Sequence, residues 1–198
     1  MSPLQIDVAC VRRALSSRTH LELESKTGQR AAVAAILRDC PGGAELLLIR
    51  RAAREGDPWS GHMALPGGRQ QPEDADIFQT AVRETLEEVG LDLSKEAALI
   101  GRLDVIEAVS RMRRVGLTIS PFVFAVEGEP ELHTNVEVEE VLWTPLAPLF
   151  EGTASTSMHY DVDGSTLKLP AWDVRGRIVW GLTYRMLQGL FEALLADS

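Results

Sequence analysis

Three carboxylates, Glu84, Glu87 and Glu88, stand in one short run, Arg83-Glu84-Thr85-Leu86-Glu87-Glu88-Val89-Gly90-Leu91, which reads as the end of a helix. An α-helix turns about 100° per residue, so Glu87 and Glu88 fall roughly 60° and 40° to either side of Glu84. Like charges crowded on one stripe repel each other. A chain keeps such a stripe readily when a cation sits on it, and hard divalent ions prefer oxygen ligands. The chemistry on offer is attack by water on a phosphate ester or anhydride. A divalent ion neutralises the anionic oxygens, lowers the pKa of a bound water and holds the attack in line. The competing reading is an amphipathic helix with a solvated acidic face. Pro66-Gly67-Gly68 ahead of the helix and Gly90 at its end argue for the chemical reading, because glycine lets backbone approach closely.

The helix that must carry these acids starts well. Asp76 is a suitable N-cap with Gln79 three residues on, as in a capping box. Ile77, Ala81, Val82, Thr85 and Val89 can form its inner face, and Gly90 supplies a left-handed stop. Upstream, Asp7 to Ser16 reads as a short amphipathic helix and Ser17 to Gln29 as a polar loop. Ala31 to Arg38 and Glu45 to Arg51 make a hairpin around Cys40-Pro41-Gly42-Gly43. A charged loop, Ala52 to Ser60, leads to a short strand at His62 to Leu65. Downstream, strands are expected at Ala97–Glu107, Leu117–Val126 and Glu139–Trp143, with Arg111 to Gly116 linking the first two. A short helix follows at Pro145 to Phe150. Met158 to Asp161 and Thr166 to Leu169 flank a hairpin turn. Gly181 to Ala196 is the closing helix, with Leu182, Met186, Leu190 and Leu194 on its apolar stripe. Strands and helices mix without regular alternation, which predicts an α/β fold with a mixed sheet and helices on both faces.

The acidic run resembles the signature of the Nudix hydrolases, GX5EX7REUXEEXGU, where U is a bulky aliphatic residue. Gly68, Arg83, Glu84, Glu87, Glu88, Gly90 and Leu91 match in order and spacing. Asp74 stands where the family has Glu, eight residues rather than seven separate it from Arg83, and Thr85 takes an aliphatic slot. The signature covers about an eighth of the chain. The resemblance implies a Nudix-type α/β/α sandwich. It implies that Glu84, Glu87 and Glu88 hold Mg²⁺ or Mn²⁺, with the Gly68 carbonyl as a further ligand. Arg83 then pairs with a neighbouring acid and orients the glutamates, with Asp74 as its partner if the shorter side chain reaches. Arg83, Glu84, Glu87 and Glu88 are the expected catalytic set. The general base stays open among Glu87, Glu88 and the loop acids Glu137 and Glu140.

Two further segments are similar to the coenzyme A pyrophosphatase branch of that family. Leu47-Leu48-Ile49-Arg50-Arg51-Ala52, leading to Gly61 and Leu65-Pro66-Gly67-Gly68, is a partial match, with Arg54 the nearest basic residue to an expected arginine. Ile178-Val179-Trp180-Gly181-Leu182-Thr183 resembles the segment that opens the branch's last helix. Arg51 and Arg54 are therefore candidate substrate-binding residues. So are Arg111, Arg113 and Arg114, three basic residues in one linker of an acidic protein, suited to phosphates; a solvated loop is the alternative. Trp59 can stack on a base or anchor its loop. Trp180 reads as core and His62 as structural, and His20, His133 and His159 show no ligand spacing. The expected activity is metal-dependent hydrolysis of a diphosphate linkage in coenzyme A or acyl-coenzyme A, giving 3′,5′-ADP and a phosphopantetheine. The alternatives are another nucleoside diphosphate linked to X, or a non-catalytic nucleotide sensor.

Composition narrows the partners. At 198 residues the chain is most simply one domain, read as an extension at 1–29 and a Nudix domain at 30–198. A net charge of −9 argues against nucleic acid and anionic membrane as partners. The resemblance implies a small nucleoside diphosphate as partner, with a homodimer left open. Cys10 and Cys40 follow no metal or redox spacing and read as buried free thiols, which suits a cytoplasmic location. No signal peptide and no membrane-length apolar run is expected.

Overall fold

Strand β1 (Arg30–Cys40) alternates its side chains between two cores. Ala31, Ala35 and Leu37 enter one; Ala32, Ala34 and Ile36 enter the other. Strand β2 (Gly43–Arg51) does the same with Leu46 and Leu48 against Leu47 and Ile49. A strand covered on both faces reads as an unbroken apolar run, which explains AAVAAIL and ELLLI. The computed structural model describes residues 6–16, 18–56, 59–110, 113–162 and 164–197, without the side chains of Ser110, Arg113 and Arg114.

Among these residues the main sheet has eight strands. Strand β3 (Met63–Ala64) and strand β8 (Val138–Pro145) pair with β2; strand β4 (Gly67–Arg69) and β2 pair with β1. Strand β5 (Ala97–Arg102) and strand β6 (Ile106–Ser110) pair with strand β7 (Arg113–Val126). β1 and β7 run parallel and the other pairs antiparallel, so the sheet is mixed, as expected.

Helix α2 (Ile77–Val89) covers one face through Ile77, Ala81, Val82 and Val89. Helix α1 (Val8–Ser16) and helix α5 (Gly181–Ala196) cover the other. This is the expected α/β/α sandwich. Val11, Ala14 and Leu15 of α1 share the core of α5, so the N-terminal segment is packed on the domain. Short helices α3 (Leu93–Glu96) and α4 (Leu146–Phe150) join the layers. Among the described residues no helix is long and apolar enough to cross a membrane.

Several expectations need correction. The single strand at Ala97–Glu107 is two, β5 and β6. Between them the Leu103 amide donates to the Pro121 carbonyl and the Val105 amide to the Leu21 carbonyl, so the chain leaves the ladder to tie down the N-terminal loop. The Arg111–Gly116 linker is strand from Arg113 onward. The hairpin expected near Val162 is part of a second, three-stranded sheet: strand β9 (Ser155–Val162), strand β10 (Ser165–Val174) and strand β11 (Arg177–Trp180). Its Trp172 is core, with its ring 4.1 Å from Tyr184 and 5.6 Å from Phe191 of α5. The two cysteines are free but only half-buried.

Two glycines make opposite demands. A Cβ on Gly101 would sit 2.6 Å from the Leu15 Cβ, so α1 docks only because β5 has no side chain there. A Cβ on Gly189 of α5 would meet nothing within 4 Å. Gly101→Ala should cost about 1–3 kcal/mol of stability through overpacking. Gly189→Ala should add about 0.5–1 kcal/mol, since helical glycine carries an entropic cost. Urea unfolding of both variants checks the pair, and equal effects would reject the Leu15 contact as the constraint.

Candidate active site

The acidic helix is positioned from both ends. The Asp76 side chain accepts from the Gln79 amide at 2.8 Å, and Gly90, at φ +74°, closes the helix with its amide on the Leu86 carbonyl. Thr85 fits the apolar inner face because it is fully buried with its hydroxyl donating to the Ala81 carbonyl at 2.7 Å. The loop from Glu127 then lies across the helix end. Its His133 and Asn135 amides donate to the carbonyls of Val89 and Glu88, taking up groups a helix C-terminus leaves unpaired.

Arg83 connects this helix to the loop before it. Its guanidinium grips Asp74 through Nε and Nη2, at 2.8 and 3.0 Å. Nη2 also donates to the Arg69 carbonyl, and Nη1 to Glu84 at 2.8 Å and Glu87 at 3.3 Å. The shorter Asp74 therefore reaches. It also accepts from Thr80 Oγ1 and the Gln71 amide. The Arg83 hydrogen bonds hold the Asp74 carboxyl well below the usual carboxylate range and raise the guanidinium further above its own.

The stripe grades from buried to exposed. Glu88 is 2% exposed and accepts from the Gly67 amide at 2.8 Å. Burial pushes it from an ordinary value of 4.5 up to about 7, against the pull of the Gly67 amide and with the charge of Glu84 adding to the rise. Burial also raises Glu84, which Arg83 partly offsets. Glu87 lies outermost. The glycines ahead of the helix serve contacts within the protein. Gly67 has φ +150°, and a Cβ there would sit 2.2 Å from the Ala32 carbonyl oxygen of β1. A Cβ on Gly68 would sit 2.5 Å from the Glu84 carboxyl group.

These acids open on a cleft of about 690 Å³. Gly68, Glu84, Glu87, Glu88 and Glu137 line its acidic side, and Arg51 and Arg54 reach the same space. A register shift in the β2–β8 ladder falls between Arg50 and Arg51, the kind of bulge that re-aims a side chain. Arg51 lowers and Glu137 raises the pKa of Glu88, so both act on the stripe electrostatically. Arg54 lies 3.6 Å from the Glu137 carboxylate. Glu140, the other loop candidate for the base, is held by Arg177 at 2.7 Å and does not line the cleft. Arg111 lies outside the described residues, as do the side chains of Arg113 and Arg114.

Trp59, an expected candidate for stacking on a base or anchoring its loop, also lines the cleft, as do His62, Trp180, Leu182 and Met186, which were not expected there. Trp180 and Leu182 had read as core, and both are only partly buried here. The donor set suits a hard cation: three carboxylates share one cleft, and burial and mutual repulsion raise two of them. Among the described residues no three acid, imidazole or thiol groups are already gathered to hold an ion. Arg83 engages Glu84 and Glu87 instead.

A family model for the NUDIX domain matches residues 28–160. An uncharacterized protein of Schizosaccharomyces pombe is 44% identical over 119 residues, which is 59% of this chain and 36% of that one. The chain thus spans about a third of that relative's length. A mouse protein named mitochondrial coenzyme A diphosphatase is 33% identical over 86% of this chain and 80% of its own. A Caenorhabditis elegans protein named peroxisomal coenzyme A diphosphatase is 31% identical over 70% of this chain and 58% of its own. Among solved structures, a MutT/nudix family protein from Enterococcus faecalis matches in fold, with a TM-score of 0.54 at 15% identity, over 96% of this chain and 70% of that one.

Two outcomes follow from the geometry. In Gly68→Ala the new methyl displaces only the end of the Glu84 side chain, so the melting temperature should barely move while turnover falls at least about tenfold. A lower melting temperature with normal turnover would reject that reading. The raised Glu88 value carries a sign. Between the ordinary value of 4.5 and about 7, the folded protein keeps a proton that the unfolded chain has released. Stability of the metal-free protein should therefore fall as pH rises through that window, by up to about 3 kcal/mol. Chemical unfolding in chelator from pH 5 to 8 should show this slope in the wild type and a flatter one in Glu88→Gln.

Proposed function

This chain belongs to the NUDIX domain family, and we propose that it is a pyrophosphohydrolase that cleaves the diphosphate of coenzyme A or an acyl-coenzyme A, releasing 3′,5′-ADP and a phosphopantetheine. What supports this substrate most is the similarity, over four-fifths of its length, to the mouse coenzyme A diphosphatase. The cleft agrees with it. Its lining includes carboxylates and arginines suited to a metal-bridged diphosphate, together with apolar and aromatic side chains suited to the substrate's uncharged parts.

Members of this family generally use divalent metal ions. We propose that Glu84, Glu87, Glu88 and the Gly68 carbonyl hold Mg²⁺ or Mn²⁺. When bound, such an ion supplies charge neutralisation and an acidified water. The protein's own groups do the rest. Arg83 fixes the orientation of Glu84 and of the loop through Asp74. Arg51 and Arg54 take the diphosphate oxygens from the cleft. Glu137 lines the cleft outside the helical stripe, and we assign it the proton of the attacking water. Arg111, Arg113 and Arg114 are proposed to meet the 3′-phosphate. The relatives with named compartments are mitochondrial and peroxisomal, so they lend no support to a cytoplasmic location.

The test is a panel of coenzyme A, dephospho-coenzyme A, ADP-ribose, NADH, dinucleoside polyphosphates and nucleoside triphosphates, each with Mg²⁺ and Mn²⁺. Coenzyme A should give a kcat/KM at least about tenfold above ADP-ribose, and Glu88→Gln should lower kcat by orders of magnitude. A better rate on any other family would overturn the substrate. Replacing Arg111, Arg113 and Arg114 with Gln should raise KM for coenzyme A at least about tenfold, since charge-assisted contacts are worth roughly 1.5–3 kcal/mol each. Dephospho-coenzyme A should be nearly unaffected, and equal losses on both would mean the arginines do not read the 3′-phosphate.

A further inference from the structure

Trp180 ends β11 and stands at the N-cap position of α5. Its neighbour Val179 is fully buried, and Trp172, which pairs with Val179 across the second sheet, is 1% exposed. Trp180 differs from both: it is partly exposed and lines the cleft. Its ring lies 4.8 Å from that of His62, tilted by 58°, and 5.2 Å from that of Tyr160, tilted by 44°. Tyr160 belongs to β9, so the second sheet braces the indole. His62 lines the same cleft. One ladder pairing and one side-chain hydrogen bond hold the segments that carry these rings. Trp180 sits opposite Ala171 in the β10–β11 ladder, and the Thr183 hydroxyl of α5 donates to the Met63 carbonyl, next to His62, at 2.9 Å.

A braced aromatic surface in the wall of an acidic cleft has a narrow chemistry. With a net charge of −9 the protein repels phosphates at long range, so affinity from uncharged contacts is valuable. A flat, neutral heteroaromatic ring is what two fixed rings hold best, through offset or edge contacts. An aliphatic arm gains little from such rings beyond area, and Leu182 and Met186 beside them suit it as well. We propose that Trp180 and His62 form the platform on which the purine ring of the substrate's nucleoside stacks. The assignment rests on the proposed function only in taking that nucleoside to be an adenosine.

The test uses 3′,5′-ADP, which carries the base but no anhydride and so is not consumed. Calorimetric titration in Mg²⁺ compares the wild type with Trp180→Leu, Trp180→Phe and His62→Leu. Trp180→Leu should weaken 3′,5′-ADP at least about fivefold, since stacking is worth about 1–3 kcal/mol per base. Trp180→Phe should stay near wild type, and 4′-phosphopantetheine should bind all variants alike. If Trp180→Leu does not fold, His62→Leu carries the comparison, and wild-type indole emission should shift with 3′,5′-ADP and not with pyrophosphate. The platform is overturned if 3′,5′-ADP binds regardless of these rings, if 4′-phosphopantetheine is the ligand that suffers, or if the wild type binds neither 3′,5′-ADP nor 5′-AMP. Wild-type hydrolysis of coenzyme A alongside any of those results leaves the proposed function standing. Ring-dependent 3′,5′-ADP binding without coenzyme A hydrolysis sinks that function alone.

Discussion

The Arg83 guanidinium is shared among Asp74 from the loop, the Arg69 carbonyl at the end of β4, and Glu84 and Glu87 on its own helix. Loop, strand and helix are thereby referred to one planar group. Five donors in a fixed fork can serve acceptors from several directions, which a lysine ammonium on a flexible stem cannot reproduce. The arrangement also explains how a shortened acid is tolerated. Asp74 lies 2.8 Å from the guanidinium, and Thr80 and the Gln71 amide hold its second oxygen.

Around that fixed point the site stores unfavourable electrostatics. Glu88 is buried beside Glu84, with the Gly67 amide and Arg51 as partial compensation. Apolar cores lie on either side of β1 and β2. A cation would relieve strain the protein already carries, so affinity for it and stability of the fold are linked quantities.

What could be read in the sequence was local. Asp76, Gly90 and the acidic stripe act within one helix, so spacing alone located them. The central strands were legible because burial on both faces leaves an unbroken apolar run. Interactions between distant segments were not. The break between β5 and β6 depends on Val105 finding Leu21. The second sheet needs the four-residue β11, whose IVW looks like the start of a helix. Gly68 was recognisable as a position that excludes a side chain, yet the group it makes room for, the Glu84 carboxylate, was not. Trp180 was assigned to the core by type, and only the packing of β11 against the cleft distinguishes it from Trp172. Glu137 and Glu140 were equivalent in sequence; in the fold an ion pair engages Glu140 with Arg177, while Glu137 lines the cleft.

The parallel pairing of β1 with β7 bears on how the chain is made. Arg30 pairs with Thr118 and Leu37 with Ala125, a separation of 118 − 30 = 88 residues in sequence. At roughly 5–20 residues per second, a ribosome needs about 4–18 s to add that stretch. During this interval the β1–β2 hairpin can form, but one apolar edge of β1 has no strand to accept. The acidic helix emerges within the same interval, before the sheet it must cover is complete. Such a nascent edge invites pairing with other chains, and long-range strand pairing is slow to close once the partner appears. The central position of β1, paired on both edges in the finished sheet, leaves one edge open in the unfinished chain.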